Sequence, residues 1–115
     1  FGLLEEADRK EAAKTLNDLV EENHYHLNTG FLSTPYLCDV LAEYGYVETA
    51  YRLLLQRECP GWLYEVRRGA TTIWERWDGV RLDGTVHDSL NHYAYGAIAG
   101  WLISGVCGIR LEPEN

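Results

Sequence analysis

The chain has 115 residues, about the length of one domain, and its formal net charge is −8. A phosphate-binding surface needs clustered Lys and Arg, so this charge argues against nucleic-acid partners. The sequence begins at Phe1 and contains no methionine. That start and composition predict that residues 1–115 form a single partial domain, excised from a longer protein.

The three cysteines, Cys38, Cys59 and Cys107, are widely spaced and odd in number. This pattern favours reduced, mostly buried thiols over a disulfide framework. It also favours a reducing compartment such as the cytoplasm, although the location of the parent protein is left open. No HExxH, CxxC or phosphate-loop spacing is present, so neither a metal nor another cofactor is expected.

The chain opens with an amphipathic helix over residues 3–23. Its predicted apolar face carries Ala12, Leu16, Leu19 and Val20. A loop over residues 26–30 follows, where an asparagine and a glycine break the helical pattern.

Two helices joined by a glycine turn come next. Thr34 is placed to cap the first of them, Pro35 fits its first position, and Gly45 ends it in the left-handed conformation. The second runs from about Val47 to Gln56, and its predicted inward face is Ala50, Tyr51, Leu54 and Leu55. Because the turn is so short, the pair must form an antiparallel αα-hairpin.

The second half of the chain alternates between helical and irregular segments. A short helix over residues 62–69 ends at a glycine, and residues 70–88 lack helical periodicity. The Asp83-Gly84 turn dipeptide predicts a small β-hairpin or ordered loop there. Ser89 then caps a final uncharged helix, residues 93–109, which lies at the short edge of the range of about 17–25 residues that could span a bilayer.

We interpret this last helix as buried on most sides within protein, and expect no membrane partner. The recurring pattern of helix, glycine turn and helix predicts an all-α architecture built from αα-hairpins. An array of this kind that is cut short would leave its last helix with few neighbours.

Glu75, in "ATTIWERWDG", is the first candidate for chemistry. A general acid or base must reach the reacting group, and the apolar walls that Trp74 and Trp77 could provide would raise the pKa of its carboxyl. The alternative is a solvated carboxylate paired to Arg76 or Arg68. Spacing alone leaves both interpretations open.

His92, in "SLNHY", is the second candidate. It is the strongly polar residue that leads into the uncharged helix, where its imidazole could donate a hydrogen bond to a bound hydroxyl. The alternative is a histidine satisfied by a nearby backbone group. Cys38 lies beside an apolar helix face with no histidine near it in sequence, which favours a structural thiol.

Taken in order, three long segments carry a family resemblance. They are "HLNTGFLSTPYLCDVLAEYGYVETAYRLLLQ", "CPGWLYEVRRGATTIWERWDG" and "LNHYAYGAI". Together the segments resemble the C-terminal part of the catalytic domain of bacterial α-L-rhamnosidases, glycoside hydrolase family 78. The resemblance implies a six-hairpin (α/α)6 toroid that removes terminal α-L-rhamnose with inversion. It implies that Glu75 is the general base, that His92 contacts the rhamnose and that Trp77 helps to shape the sugar pocket.

The chain departs from the family in one respect. The family's general acid lies earlier in the barrel, and no segment here matches it. The resemblance therefore predicts a chain that is inactive alone. Its expected partners are a rhamnoside substrate, the remainder of the catalytic domain and, through exposed apolar surface, other copies of itself.

Two alternatives belong to other functional classes. One is a catalytically inactive sugar-binding relative, which would keep the tryptophans and His92. The other is a helical-hairpin interaction module, since "LAEYGYVETAYRLLLQ" has the glycine turn and Ala/Tyr packing of helical repeats. The module explains residues 33–57 but gives no reason for the irregular insertion that carries Glu75.

Overall fold

The structure, a computed structural model, describes residues 3–111. Its α-helices are α1 (Glu6–Glu22), α2 (Thr34–Glu43), α3 (Val47–Leu54), α4 (Trp62–Arg67) and α5 (Ile98–Trp101). A 3-10 turn, Ala94–Ala97, leads into α5, and a π-helical turn, Leu102–Val106, follows it. The described residues contain one isolated antiparallel bridge and no longer strand. The predicted all-α class is therefore confirmed.

Helix α1 packs on α2 and α3 through a face that differs from the predicted one. Ala13, Asn17 and Val20 are buried, whereas Leu19 is 57% exposed. The buried side is shifted toward Asn17 because its Oδ1 accepts a hydrogen bond from Thr49 Oγ1 at 2.6 Å. Apolar periodicity does not detect such a polar contact, so the predicted face was wrong in part.

Helices α2 and α3 form the predicted hairpin and the centre of the core. Gly45 ends α2 with φ of +94°, as expected for a left-handed C-terminal residue. Leu41, Ala50 and Leu53 are each 0% exposed. The inward face of α3 therefore runs through Ala50 and Leu53, not through Tyr51 or Leu55 as the spacing suggested.

The start of α2 also differs from the prediction. Pro35 does lie in the first turn, but no side chain caps the helix. The Thr34 hydroxyl turns back and donates to the Gly30 carbonyl at 2.8 Å, tying the preceding loop to the helix.

The last helical segment is shorter and less regular than predicted. It begins at Ala94, so Ser89 does not cap it; the Ser89 hydroxyl accepts the Asn91 N–H at 3.1 Å instead. Only one side is buried, through Ala94, Tyr95, Ile98 and Trp101. Among the described residues α2 covers one face only, as expected for the last helix of an array that is cut short, and burial on most sides stays a prediction for the longer protein. None of the helices in the described range is both long and apolar enough to cross a membrane.

All three cysteines are free, but they differ in exposure. Cys38 is buried, Cys59 is half-buried and Cys107 is exposed, so the expectation of mostly buried thiols holds only in part. Burial raises the pKa of the Cys38 thiol to about 12. A thiol with such a pKa is protonated at neutral pH, which supports a structural role.

Candidate functional site

The candidate site is built on two backbone segments that pair with each other. The Glu75 N–H donates to the Ser89 carbonyl at 2.9 Å, and the His92 N–H donates to the Ile73 carbonyl at 2.8 Å. The Thr72 hydroxyl donates to the Leu90 carbonyl and adds a third link between the two segments. This pairing brings the segments that carry Glu75 and His92 side by side, although no regular strand forms.

Between the two segments lies the predicted turn. Val80 and Val86 form an antiparallel bridge, and the Arg81 N–H donates to the Thr85 carbonyl at 2.9 Å. Gly84 closes the turn with φ of +84°, a conformation that suits glycine. The prediction of a small β-hairpin or ordered loop is met by an ordered turn with one isolated bridge, which returns the chain toward Ser89.

The Glu75 carboxyl is half-buried and held through one oxygen. Its Oε2 accepts the Ser89 N–H at 3.1 Å. Its Oε1 has no hydrogen-bond partner among residues 3–111. A carboxylate held in this way keeps one oxygen available to a water molecule or a hydroxyl.

The arginines near Glu75 have other partners. Arg76 Nε lies 3.1 Å from Asp78 Oδ1, and its Nη1 lies 3.6 Å from Asp88 Oδ2. Arg68 donates to the Arg81 carbonyl at 2.6 Å. The ion pair considered for Glu75 with Arg76 or Arg68 is therefore not the arrangement found.

The tryptophans that flank Glu75 are both inside the protein. Trp74 is 3% and Trp77 is 9% exposed. Trp77 stacks on Tyr95 with a ring-centroid distance of 3.9 Å and meets Trp62 edge-on at 5.6 Å. Trp62, Trp77 and Tyr95 together form a buried aromatic cluster next to these segments in sequence.

His92 stacks on two aromatic rings. Its centroid lies 4.9 Å from that of Phe31, in the loop before α2, and 5.4 Å from that of Tyr93. Its Nδ1 accepts the Ala94 N–H at 3.3 Å. The neutral tautomer that fits this bond carries its proton on Nε2, so the imidazole presents an N–H donor there.

Glu65, on α4, contacts the backbone next to Glu75 and was missed by the sequence analysis. Its side chain is 1% exposed, and its Oε2 accepts the Trp74 N–H at 3.1 Å. Burial raises the pKa of this carboxyl to about 7, against the lowering effect of that hydrogen bond. Helical spacing could have identified it, because Glu65 lies three residues after Trp62 and so shares its buried face.

The described residues contain no group of three or more His, Cys, Asp or Glu side chains that could hold a metal ion. The two paired segments carry a carboxylate oxygen at Glu75 and an imidazole N–H at His92, with aromatic rings stacked on the imidazole. Such a set can bind hydroxyl groups and accept a proton from water.

A family model for the bacterial alpha-L-rhamnosidase 6 hairpin glycosidase domain matches residues 1–106. Among curated proteins, an α-L-rhamnosidase of Streptomyces avermitilis is 46% identical over 113 residues, covering 95% of this chain and 11% of that protein. An α-L-rhamnosidase of Formosa agariphila is 43% identical over 113 residues, covering 95% of this chain and 12% of that protein.

Solved structures give the same answer. The chain matches the crystal structure of the Streptomyces avermitilis α-L-rhamnosidase complexed with L-rhamnose, with a TM-score of 0.91 and 44% identity over 96% of this chain and 11% of that one. It matches the native Aspergillus terreus α-L-rhamnosidase with a TM-score of 0.82 and 38% identity, over 87% of this chain and 12% of that one. The chain thus spans 11–12% of the length of these relatives. With the family model matching nearly its whole length, the chain belongs to the bacterial α-L-rhamnosidase six-hairpin glycosidase family.

Proposed function

We propose that this chain is the base-bearing part of an inverting α-L-rhamnosidase, which releases terminal α-L-rhamnose from rhamnosides. The observation that carries the proposal is the Glu75 carboxyl, fixed at Oε2 by the Ser89 N–H while Oε1 has no partner among the described residues. Family membership and the rhamnose-bound relative support the choice of sugar.

In this mechanism Glu75 Oε1 takes a proton from a water molecule as the water attacks the anomeric carbon. The Ser89 N–H orients the carboxyl by donating to Oε2 at 3.1 Å. A carboxylic acid on the other side of the sugar protonates the leaving oxygen, and the two carboxyls of an inverting pair lie about 6.5–9.5 Å apart. The glycosidic bond breaks, the C–O bond to water forms, and the configuration at the anomeric carbon inverts.

Glu65 is not that acid, although its pKa of about 7 would suit one. Its carboxyl is 1% exposed and bound to the Trp74 N–H, so it cannot reach a substrate. We therefore propose that the acid comes from another segment of the catalytic domain, as the family resemblance implies. The remainder of that domain is the protein partner that this proposal requires.

His92 and Trp77 take separate roles in the proposal. The Nε2–H of His92 donates to a hydroxyl of the rhamnose, and its ring is held in place by stacking on Phe31. Trp77 packs against Tyr95 and is mostly buried, so it shapes the sugar pocket chiefly by supporting its floor.

The test uses a grafted enzyme, defined as the Streptomyces avermitilis relative in which this chain replaces the matching 113 residues. We expect the grafted enzyme to hydrolyse an aryl α-L-rhamnoside and to release the inverted sugar, observed by proton NMR. Glu75→Gln should lower kcat by about 10²–10⁴, the usual range for a general base. The Gln side chain still accepts from Ser89, so the fold is kept, and unchanged circular dichroism verifies this.

Retention of configuration would overturn the inverting mechanism, and full activity of Glu75→Gln would overturn the role of Glu75. The chain alone is expected to show no turnover of the same substrate.

A second candidate is a catalytically inactive sugar-binding protein. It is favoured by one observation: Glu65, whose raised pKa of about 7 would suit a general acid, is buried and bound to the Trp74 N–H, so it cannot serve as one. Binding of L-rhamnose by the chain, detected by tryptophan fluorescence, combined with an inactive grafted enzyme that is correctly folded, would favour this candidate.

A further inference from the structure

The segment that carries Glu75 is hydrogen-bonded on two sides. On one side, the Ile73 carbonyl and the Glu75 N–H bond to the paired segment that ends at His92. The Trp74 N–H, between them in sequence, does not bond to the paired segment; it donates to Oε2 of Glu65 at 3.1 Å.

We propose that Glu65, a residue of α4, is a positioning residue for Glu75. Its side chain accepts a backbone N–H in the way that a neighbouring strand would. Its carboxylate accepts the Trp74 N–H, which does not take part in the pairing with residues 89–92. This fixes the backbone directly before the proposed base. The inference rests on the proposed function of Glu75.

The same helix face holds the second segment of the site. Trp62 lies three residues before Glu65, and its indole N–H donates to the Tyr95 carbonyl at 3.0 Å. One face of α4 thus bonds to the segment of Glu75 at Trp74 and to the segment of His92 at Tyr95. These two bonds set the position of both segments relative to a single rigid element.

An acid at position 65 is costly for folding, which indicates that it serves something other than packing. A buried carboxyl is unfavourable unless its oxygens are hydrogen-bonded. Oε1 of Glu65 is buried without a hydrogen-bond partner among residues 3–111. An apolar side chain would fill the space without this cost, but it would leave the Trp74 N–H unpaired.

The first arm of the test measures amide hydrogen exchange by NMR in the full chain. Glu65→Met keeps the approximate volume and removes the acceptor, whereas Glu65→Gln keeps an acceptor oxygen. We expect Glu65→Met to speed exchange at Trp74 by about tenfold, the factor for one lost hydrogen bond, with Glu65→Gln close to wild type. Cys38→Ala, a core substitution away from this segment, is the matched control and should leave Trp74 unchanged.

The second arm measures kinetics in the grafted enzyme. Misplacement of a catalytic group lowers the rate of the chemical step, so Glu65→Met should lower kcat by about 10–100-fold with KM little changed. Glu65→Gln should restore most of kcat. Glu65→Asp shortens the side chain by one methylene, which moves the acceptor away from the Trp74 N–H, and should lower kcat as Glu65→Met does. The Asp variant provides the same test if the Met variant does not fold.

The outcomes separate the two proposals. If Glu75→Gln is fully active, the base role of Glu75 is wrong. If Glu75→Gln is inactive while Glu65→Met and Glu65→Asp keep wild-type kcat and Trp74 exchange, the base role stands and the positioning role of Glu65 is wrong. Loss of kcat in Glu65→Gln equal to that in Glu65→Met would also overturn it, because hydrogen-bond acceptance would then not be the property that matters.

Discussion

Glu75 and Ser89 hold each other by two reciprocal hydrogen bonds. The Glu75 N–H donates to the Ser89 carbonyl at 2.9 Å, and the Ser89 N–H donates to the Glu75 carboxylate at 3.1 Å. One residue pair thus fixes both the backbone and the side chain of the proposed base. Preorganisation of this kind removes the need to orient the carboxylate when the substrate binds.

We predict that the imidazole N–H of His92 contributes to sugar binding. In His92→Phe the ring can still stack on Phe31, but the Nε2–H donor is lost. Binding of L-rhamnose by the grafted enzyme should weaken by about tenfold, which corresponds to one hydrogen bond. Isothermal titration calorimetry measures the change. Tyr93→Phe is the control, since it keeps the neighbouring ring and removes only a hydroxyl; equal affinities for wild type and His92→Phe would contradict the assignment.

We predict that Glu65 makes the folded state less stable as the pH rises. Its pKa is raised from 4.5 in the unfolded chain to about 7 in the fold, so the folded state binds more protons between these values. The contribution of Glu65 to the free energy of unfolding therefore falls between about pH 4.5 and pH 7, by roughly 3 kcal/mol at most. Above pH 7 this contribution no longer changes with pH.

Urea denaturation of wild type and Glu65→Gln from pH 5 to pH 8 checks this. The difference between the two proteins cancels the titration of other groups, apart from Cys59 and Tyr95, whose own pKa values are raised mainly by burial and in part by the charge of Glu65. The Gln variant should gain stability relative to wild type as the pH rises. A difference that does not depend on pH would show that Glu65 has an ordinary pKa.

We predict that the buried pair of Asn17 and Thr49 stabilises the packing of α1 on α3. Their side chains are 6% and 5% exposed and are joined at 2.6 Å. Asn17→Ala leaves the Thr49 hydroxyl buried without this partner, which should cost about 1–3 kcal/mol. Thr49→Val in the Asn17→Ala background should cost less than in wild type. Chemical denaturation of the four proteins measures the coupling, and strictly additive costs would argue against the bond.

We predict that the isolated chain self-associates through its exposed apolar side chains. Leu32 and Leu82 are 86% and 85% exposed, and Ile109 is 67% exposed. Burial of such surface favours association, while the net charge of −8 opposes it. Association should therefore increase with salt, which screens the repulsion. Sedimentation velocity at rising concentration measures it, and a monomer at high concentration and high salt would contradict the prediction.

Local sequence signals predicted the helices and turns well where short-range chemistry decides the conformation. Gly45, Gly69 and Gly84 all adopt positive φ, as their positions after helices or in a turn suggested. Local sequence signals were poorer guides to which side of a helix is buried. Leu19 and Leu55 are exposed although they fit an apolar stripe, because partner helices, not periodicity, select the face.

The sequence by itself determined the all-α class, the hairpin of α2 and α3 and the family, because ordered motifs and turn residues are local properties of the chain. The roles of Glu75, His92 and Trp77 were proposed from motif matches and remain proposals. Only the tertiary structure decided that Glu75 pairs with Ser89 and that Glu65 accepts the Trp74 N–H. Those contacts join residues from separate segments and depend on desolvation, which no single stretch of sequence specifies.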